Sequence, residues 1–314
     1  MALPRVAIPT GDPAGIGPEI AFKAAMDPAV RAICQPVLFS DRAVLRSHGV
    51  DPSKVELVEV PFEGKLQIGK IHADHGRAII ACAESAIRAT LAGEYAAVVA
   101  APHTEAAIHA AGIEFDGYPS FVARVCGLPP EDGILMLCFE HQGREVRIAH
   151  VTLHVSVRKA LELLSKERIV KAIRAVHGVL GNPRIGISGV NPHAGEGGAF
   201  GTDEIDLITP AIEQARREGI DVEGPIGADT LIQRPGFDAY VVMLHDQGHV
   251  AAKLLAPQRV AGLTIGAPVL FSSVAHGSAL DIAGQGRADP AAIVEAITRL
   301  VGRRRRGGAT EKIL

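Results

Sequence analysis

Short apolar runs of the kind found in buried strands alternate along this chain with longer stretches of helical periodicity. Most of the runs are followed by Gly, Pro, Asp or Thr residues, which is typical of a strand that ends in a loop. This alternation predicts an α/β fold in which a mostly parallel sheet is covered by helices on both faces. Strands are expected at 6–8, 96–101, 146–151, 184–188 and 239–244, and helices from Pro18, at 76–91, after a capping Thr104, at 155–176 and at 204–219.

The composition narrows the classes of function. At 314 residues the chain has room for two domains, or for one large α/β domain with an insertion. Aromatic residues make up only 4% and the net charge is −3, so no nucleic-acid partner is expected. No apolar run approaches the ~18 residues of a membrane span and the N-terminus lacks a signal pattern, so no membrane contact and a cytoplasmic location are expected. Four scattered cysteines indicate reduced thiols, and the basic run 303–306 is interpreted as a solvated tail.

Three histidines follow predicted strands or begin loops: His154, His193 and His245. In open α/β sheets, ligands collect beyond the carboxyl ends of the strands. Three imidazoles that converge there would bind one borderline divalent cation and leave positions open for water or substrate. Each of them also fits a hydrogen-bonded loop histidine, so both interpretations stay open on the residues alone.

A fourth histidine, His249, stands four residues after His245, as in the zinc-protease pattern H-E-x-x-H. We reject that interpretation because Asp246 replaces the glutamate, Gly248 weakens a helix and the preceding residues favour a strand. His249 is kept as a group that supports a neighbouring ligand.

A run of small residues from Val274 to Pro290 is a candidate nucleotide loop. Small residues let a backbone approach a flat ligand closely, and an acid in such a loop suits the two hydroxyls of a ribose. Glycine-rich surface loops without a ligand are also common. The stretch from Gly11 to Glu19 is not a dinucleotide fingerprint, because Ile20 stands where its third glycine would fall. Any NAD is therefore expected to bind in another manner than in a Rossmann domain.

Several long motifs, in the same order and over nearly the whole chain, resemble the 4-hydroxythreonine-4-phosphate dehydrogenase family. They are PTGDPAGIGPE at 9–19, NPHAGE at 191–196, HDQG at 245–248 and HGSALDIAG at 276–284. The last motif and GIGPE also resemble the isopropylmalate and isocitrate dehydrogenases. The resemblance implies two α/β/α domains with the active-site cleft between them. Residues 1–122 and 270–314 would form the domain on the cofactor side, and residues 123–269 the domain with the metal ligands and dimer contacts.

The resemblance also implies NAD, one divalent metal ion (Zn, Ni, Co, Mn or Mg) and a homodimer with a shared active site. His154, His193 and His245 match the metal ligands, with His245 supplied across the dimer interface. NADP stays open as an alternative to NAD. Catalytic positions are matched by Asp229, Asp246 and Lys253, and cofactor-binding positions by Gly15, His276, Gly277, Ala279, Asp281 and Asp289.

Departures from the family pattern point to the substrate. Members that act on phosphate esters present Lys, Asn and Arg to the phosphate, whereas here Lys253 is joined by Gly262 and Phe271. A phosphate dianion prefers several charge-assisted donors, and Phe271 supplies none. Its ring is expected to contact a planar substrate instead. The family's His-Thr substrate pair is also replaced at 118–119, and the expected substrate ligands are Tyr118, Ser120 and Lys253.

The motifs GYPS at 117–120 and HDQGH at 245–249 resemble the branch of terephthalate cis-dihydrodiol dehydrogenases. This resemblance implies oxidation of a carboxylated cis-dihydrodiol by NAD with loss of CO2 to give protocatechuate. The base would be Lys253, or a metal-bound hydroxide steadied by Asp229. A dehydrogenase of 4-hydroxythreonine, threonate or erythronate 4-phosphate is the alternative within the family. From other classes, a three-histidine lyase or hydrolase without a nucleotide stays open, and a catalytically silent relative is disfavoured.

Overall fold

The computed structural model describes residues 2–257 and 259–301, which fall into two compact units. The first unit joins the chain up to Leu128 to the chain from Ala267 onward, and the second is Pro129–Gly266. Each unit has its own apolar core. The basic run 303–306 lies outside the described residues. In the described part of the chain no helix is both long enough and apolar enough to cross a bilayer.

The first unit is built on a parallel sheet. With elements numbered along the chain, its strands are β1 (Arg5–Pro9), β2 (Gln35–Ser40), β3 (Glu56–Glu59), β4 (Ala97–Ala100) and β11 (Phe271–Val274). They pair in the order β3-β2-β1-β4-β11, and every pair is parallel. Strand β4 is buried along its whole length, as in sheets that are covered on both faces. The sequence prediction of parallel, buried strands is confirmed in this unit.

The helices of the first unit begin close to the predicted positions, with one correction. Pro18 and Glu19 lie in the first turn of the first helix, as predicted. Thr104 precedes a helix but its side chain does not cap it. The Thr104 hydroxyl donates instead to the buried carboxylate of Asp12, so the predicted capping bond is wrong. The helices are α1 (Gly17–Met26), α2 (Pro28–Ile33), α3 (Arg42–Ser47), α4 (Ala73–Leu91), α5 (Glu105–Ala110), α6 (Tyr118–Val125) and α12 (Ala291–Val301).

The second unit contains a mixed sheet. Its strands are β5 (Ile134–His141), β6 (Arg144–His150), β7 (Ile185–Ser188), β8 (Val222–Ile226), β9 (Ala239–Val242) and β10 (Ala261–Ile265), in the order β10-β5-β6-β9-β7-β8. The pairs β10–β5 and β5–β6 are antiparallel, and the other three are parallel. Gln142 and Gly143, with φ of 51° and 73°, form the two-residue turn between β5 and β6. The predicted parallel sheet is therefore correct for only part of this unit.

Two long helices predicted for the second unit are interrupted. The stretch 155–176 contains two helices, because the Ser165 hydroxyl accepts a hydrogen bond from the Arg168 amide (3.3 Å) and starts a new one. The stretch 204–219 opens with a π-helical turn, Glu204–Ile208, before an α-helix continues. The helices of the unit are α7 (Val157–Leu163), α8 (Lys166–Leu180), α9 (Thr209–Arg217), α10 (Ala228–Leu231) and α11 (His245–Leu255).

Candidate active site and cofactor loop

The three predicted metal ligands follow three neighbouring strands of the second unit. His154 comes four residues after β6, His193 five after β7 and His245 three after β9. Strand β9 lies between β6 and β7 and pairs in parallel with both. The carboxyl ends of the three strands therefore meet at one edge of the sheet, where ligands of α/β proteins bind. The predicted placement is confirmed, and metal binding by these residues stays a prediction.

His245 opens α11 and is oriented by the next residue. Its Nδ1 donates a hydrogen bond to Oδ1 of Asp246 at 2.7 Å, which leaves the lone pair on Nε2 for a metal ion. The same bond holds the pKa of the Asp246 carboxyl below its usual value. The geometry thus places Asp246, expected to be catalytic, where it orients the His245 ring.

The turn that carries His245 is fixed by Gln247, a residue that is not among the predicted site residues. Its Oε1 accepts hydrogen bonds from the backbone amides of Met243 (2.9 Å) and Leu244 (3.0 Å). Its Nε2 donates to the carbonyl of Gly189 at 2.9 Å. One side chain therefore ties the end of β9 to the end of β7. The signal that could have identified it is a Gln three residues after the N-cap residue of a helix, here Leu244.

Within one chain the three histidines do not complete a metal site. The ring centroids of His154 and His245 lie 5.7 Å apart, close to the spacing of about 5 Å for two imidazoles on one ion. The ring of His193 lies 6.2 Å from that of Phe200. In residues 2–257 and 259–301 no three His, Cys, Asp or Glu side chains form a group that could hold a metal. The donor chemistry of the three imidazoles fits a borderline divalent cation.

His193 lies in a loop with a left-handed backbone. All five residues from His193 to Gly197 have φ between 43° and 77°, a conformation that is unfavourable for residues other than Gly and, to a smaller degree, Asn and Asp. The three that are not Gly each cost on the order of 1–3 kcal/mol. Such a conformation persists only where the surrounding structure fixes it, and it is typical of ligand sites.

Asp229 and Lys253 are the two other predicted catalytic residues, on α10 and α11. A β-carbon built on Gly227 would be 2.8 Å from Oδ1 of Asp229 and 3.8 Å from Cα of His193, so Asp229 adjoins the His193 loop. Asp229 and Asp246 line one groove between α10 and α11. Lys253 is exposed in the last turn of α11.

A helix forms at 245–249, although the sequence pattern predicts none there. The rings of His245 and His249 stack on it at 3.7 Å, with 8° between their planes. A β-carbon on Gly248 would lie 2.2 Å from Nε2 of the buried His150, so this position needs a glycine because of close packing. The expectation of no helix is wrong. The protease-like interpretation stays rejected, because parallel stacked rings cannot both direct a nitrogen at one ion.

His150 is expected to make the stability of the protein depend on pH. Its ring is 2% exposed, and burial, followed by the nearby His249, lowers its pKa from 6.5 to about 3. A histidine that is neutral in the fold takes up a proton on unfolding below pH 6.5. The free energy of unfolding therefore falls as the pH drops from about 6.5 towards 3, by about 2 kcal/mol at pH 5 for this residue alone.

Urea unfolding in the presence of a chelator, at several pH values between 5 and 7, would measure this effect. We expect His150→Leu to flatten the decline, whereas His109→Leu, at an exposed position of α5, should keep the wild-type slope. An unchanged slope in His150→Leu would show that another group is responsible.

The predicted substrate ligands of the first unit are buried. Tyr118 is 3% exposed, burial raises the pKa of its phenol, and its hydroxyl has no hydrogen-bond partner among the described residues. Ser120 is 8% exposed and donates to Asp116. The ring of Phe271 is fully buried and packs against Tyr118 at 4.8 Å. The expected contact of Phe271 with a substrate is therefore wrong, and substrate binding by Tyr118 and Ser120 stays a prediction.

The N-terminal motif forms a turn that is bonded to the predicted cofactor loop. Oδ1 of the buried Asp12 accepts a hydrogen bond from the Ala14 amide at 2.8 Å, and its other oxygen accepts from the Thr104 hydroxyl. That hydroxyl lies 2.8 Å from Oγ of Ser278. A β-carbon on Gly15 would lie 2.6 Å from Cβ of Ser278. Gly15 is thus beside the loop, as the cofactor prediction requires.

The far end of the same loop is held by α1. Glu19 is 2% exposed, and its Oε1 accepts hydrogen bonds from the Ala288 amide (2.8 Å) and from Nζ of Lys23 (2.7 Å). Lys23 also donates to the carbonyls of Gly286 (3.0 Å) and Ala288 (2.7 Å). Because both ends of the loop are bonded to the N-terminal segment, their positions are fixed.

Several residues that the sequence predicts to bind the cofactor are exposed in this loop. A β-carbon on the exposed Gly277 would meet nothing within 4 Å, and Ala279 has a left-handed φ of 41°. Oδ1 of Asp289 accepts from the Ala291 amide (2.9 Å) at the start of α12. In the described part of the chain no hydrogen bond to the exposed Asp281 carboxylate is found. His276 is also exposed, and cofactor binding by His276, Asp281 and Asp289 stays a prediction.

The family model described as "Pyridoxal phosphate biosynthetic protein PdxA" matches residues 20–300. The chain belongs to the PdxA family. This confirms the family resemblance drawn from its motifs. An isocitrate dehydrogenase from Methylococcus capsulatus has a TM-score of 0.50 at 15% identity, covering 96% of this chain and 85% of its own. That likeness concerns the fold alone and agrees with the predicted α/β fold class.

Several members and relatives of the PdxA family are similar over nearly their whole length. A 1,2-dihydroxy-3,5-cyclohexadiene-1,4-dicarboxylate dehydrogenase from Comamonas is 41% identical over 94% of this chain and 96% of its own. A terephthalate 1,2-cis-dihydrodiol dehydrogenase structure from Burkholderia xenovorans is 42% identical with a TM-score of 0.69, covering 95% and 98%. A 4-hydroxythreonine-4-phosphate dehydrogenase structure from Klebsiella pneumoniae is 30% identical with a TM-score of 0.80, covering 94% and 97%. This PdxA-family chain is therefore an enzyme of the dehydrogenase class, which implies a nicotinamide cofactor.

Proposed function

We propose that this enzyme oxidises a carboxylated cis-dihydrodiol, with NAD as the hydride acceptor and with loss of CO2. The observation that carries the metal-dependent part is the convergence of the strands before His154, His193 and His245 at one edge of the sheet. The substrate class is supported by the 41% identity to the Comamonas dehydrogenase. The proposed substrate is 1,2-dihydroxycyclohexa-3,5-diene-1,4-dicarboxylate, and the proposed product is protocatechuate.

The reaction balances with one two-electron oxidant. The C2–H bond breaks and its hydride passes to NAD, the C2 hydroxyl loses a proton, and the resulting β-keto acid loses the C1 carboxylate as CO2. When bound, a divalent metal ion would acidify the hydroxyl and stabilise the negative charge that develops as CO2 leaves. Formation of the aromatic ring makes the second step favourable.

The positions of the predicted catalytic and cofactor-binding residues suggest a role for each of them. Asp229 adjoins the His193 loop, so its carboxylate is the proposed acceptor of the hydroxyl proton. Lys253 lies eight residues after His245 on α11, a rise of about 12 Å. Its ammonium group is therefore proposed to bind a substrate carboxylate, and its use as the base is the alternative. Asp281 is proposed to bind the ribose of NAD.

A homodimer is proposed because much of the exposed apolar surface belongs to the second unit. Leu254 is 77% exposed and Val250 53% on α11, the helix that begins with His245, and Val157 is 68% exposed on α7. Large apolar side chains in such numbers mark a surface that another protein covers. A second copy seated on α11 would bring its own metal-site residues towards His245.

A dehydrogenase of 4-phosphorylated hydroxy acids is the second candidate, and the TM-score of 0.80 to the Klebsiella enzyme favours it. We prefer the dihydrodiol because substrate choice depends on side chains, whereas a TM-score compares backbones. Gly262 lies in a buried strand and Phe271 in the core, so neither offers a donor to a phosphate. A lyase or hydrolase without a nucleotide is disfavoured because the relatives named above are dehydrogenases.

The expected result is that kcat/KM for the dihydrodiol dicarboxylate exceeds that for 4-phosphohydroxythreonine by on the order of 100-fold or more. Two missing charge-assisted donors should cost the phosphate substrate about 3 kcal/mol or more. Both substrates would be assayed with the same metal ion and NAD, with NADH formation and CO2 release as readouts. A higher kcat/KM for the phosphate ester would overturn the proposed substrate class.

A further inference from the structure

Glu204 is a buried carboxylate at the base of the loop that carries His193. It is 3% exposed and lies at the first position of the π-helical turn before α9. Its Oε1 accepts hydrogen bonds from the backbone amides of Val190 and Asn191, both at 2.8 Å. Its Oε2 accepts from Nδ2 of Asn191 at 3.0 Å. Three hydrogen bonds to one carboxylate therefore fix the residues just before His193.

The loop is folded closely around this carboxylate. A β-carbon on Gly195 would lie 2.7 Å from Oε2 of Glu204, and one on Gly189 would lie 3.0 Å from Oε1. Asn191 is held from a second side, because its Nδ2 also donates to Asp203 at 2.8 Å. The glycines at these two positions let the backbone approach the carboxylate where a side chain would not fit.

The left-handed run from His193 to Gly197 needs such support. Strained backbone persists only where neighbouring groups fix it. Glu204 accepts hydrogen bonds from the residues just before the run and packs against Gly195 at its centre. Among the described residues no ion pair to Glu204 is found.

We propose that Glu204 is a positioning residue that holds the imidazole of His193 where it can bind the metal ion. This inference rests on the proposed function, in which His193 is a metal ligand. Hydrogen-bonded partners of metal ligands typically change metal affinity by about 10- to 100-fold when they are replaced.

The test is a titration with Co²⁺, followed by its visible absorption bands, on wild type, Glu204→Gln and Glu213→Gln. In the Glu204→Gln variant the new amide group would have to face either the backbone amides or Asn191. We expect the Kd for Co²⁺ to rise by about 10- to 100-fold and the bands to shift. Glu213→Gln makes the same charge change at an exposed position of α9, and it should bind Co²⁺ as wild type does. Thermal unfolding in a chelator, in which Glu204→Gln should melt near the control, separates lost positioning from lost folding.

The outcomes are distinguishable from failure of the proposed function. Wild-type Co²⁺ affinity in Glu204→Gln, together with weak binding by His193→Asn, would overturn the positioning role and leave the metal site standing. Wild-type affinity in His193→Asn would overturn the metal site itself. If Glu204→Gln does not fold, Asn191→Ala, which removes only the side-chain amide, decides. A weaker Co²⁺ complex then supports the proposal, and an unchanged one overturns it.

Discussion

Replacing His193 by Asn is expected to abolish most metal binding and, with it, most turnover. Asn is the better replacement because it tolerates the left-handed φ of 54° at this position, which Ala would strain. Its amide oxygen is a poor ligand for Zn²⁺ or Co²⁺, which prefer imidazole. One ligand of a structural zinc site contributes about 3 kcal/mol, so affinity should fall on the order of 100-fold. Without the ion the hydroxyl is not acidified, and kcat/KM should fall on the order of 1000-fold.

Metal content after dialysis and kcat/KM on the dihydrodiol measure the two effects separately. His109→Asn is the matched control, because His109 is exposed on α5 and bonds only the backbone carbonyl of Phe115 at 2.9 Å. It should keep wild-type metal content and activity. Full metal occupancy in His193→Asn would show that this histidine is not a ligand.

The fold was predictable where local signals agree with tertiary structure. Apolar runs such as Val6–Ile8 and 239–244 are buried on both faces and became β1 and β9. The antiparallel strands β5 and β10 were not predicted, because their sequences do not stand out as short apolar runs between helical stretches. The helix at His245 was missed because Gly248 has low helix propensity. Its real constraint is contact with His150, which lies ninety-eight residues earlier in the chain.

For the candidate site, the sequence predicted which residues are involved and that they follow strands. The three histidines could be placed from their positions after strands, since parallel strands end at one edge. The residues that orient them could not be predicted, because their partners are backbone groups of other segments. Gln247 donates to the carbonyl of Gly189, and Glu204 accepts from the amide of Asn191. The burial of Phe271, the first residue of β11, could not be predicted either, because an aromatic residue at a strand end can contact either the core or a ligand. Such three-dimensional relations leave little trace in a single sequence.

The second prediction concerns which subunit supplies His245 to each metal site. Within one chain the ring centroids of His154 and His245 lie 5.7 Å apart, so these two histidines could also bind one ion without a partner subunit. The exposed Val250 and Leu254 on α11 favour a partner subunit at this helix. If His245 acts across the interface, a chain with His193→Asn and a chain with His245→Ala, each inactive alone, should regain activity in a mixed dimer. One of the two sites then has all its histidines intact.

Co-expression of the two variants with different affinity tags, and purification through both, yields the mixed dimer. Its activity should be about half that of wild type per dimer, because one of two equivalent sites is restored. The control combines a His193→Asn chain with a His154→Ala chain. In the proposed dimer these two histidines come from the same subunit, so each of the two sites lacks one of them. Both sites are then damaged, and no activity should return. If His245 instead completes the site of its own chain, neither mixed dimer recovers, so an inactive first pair would place all three histidines in one subunit.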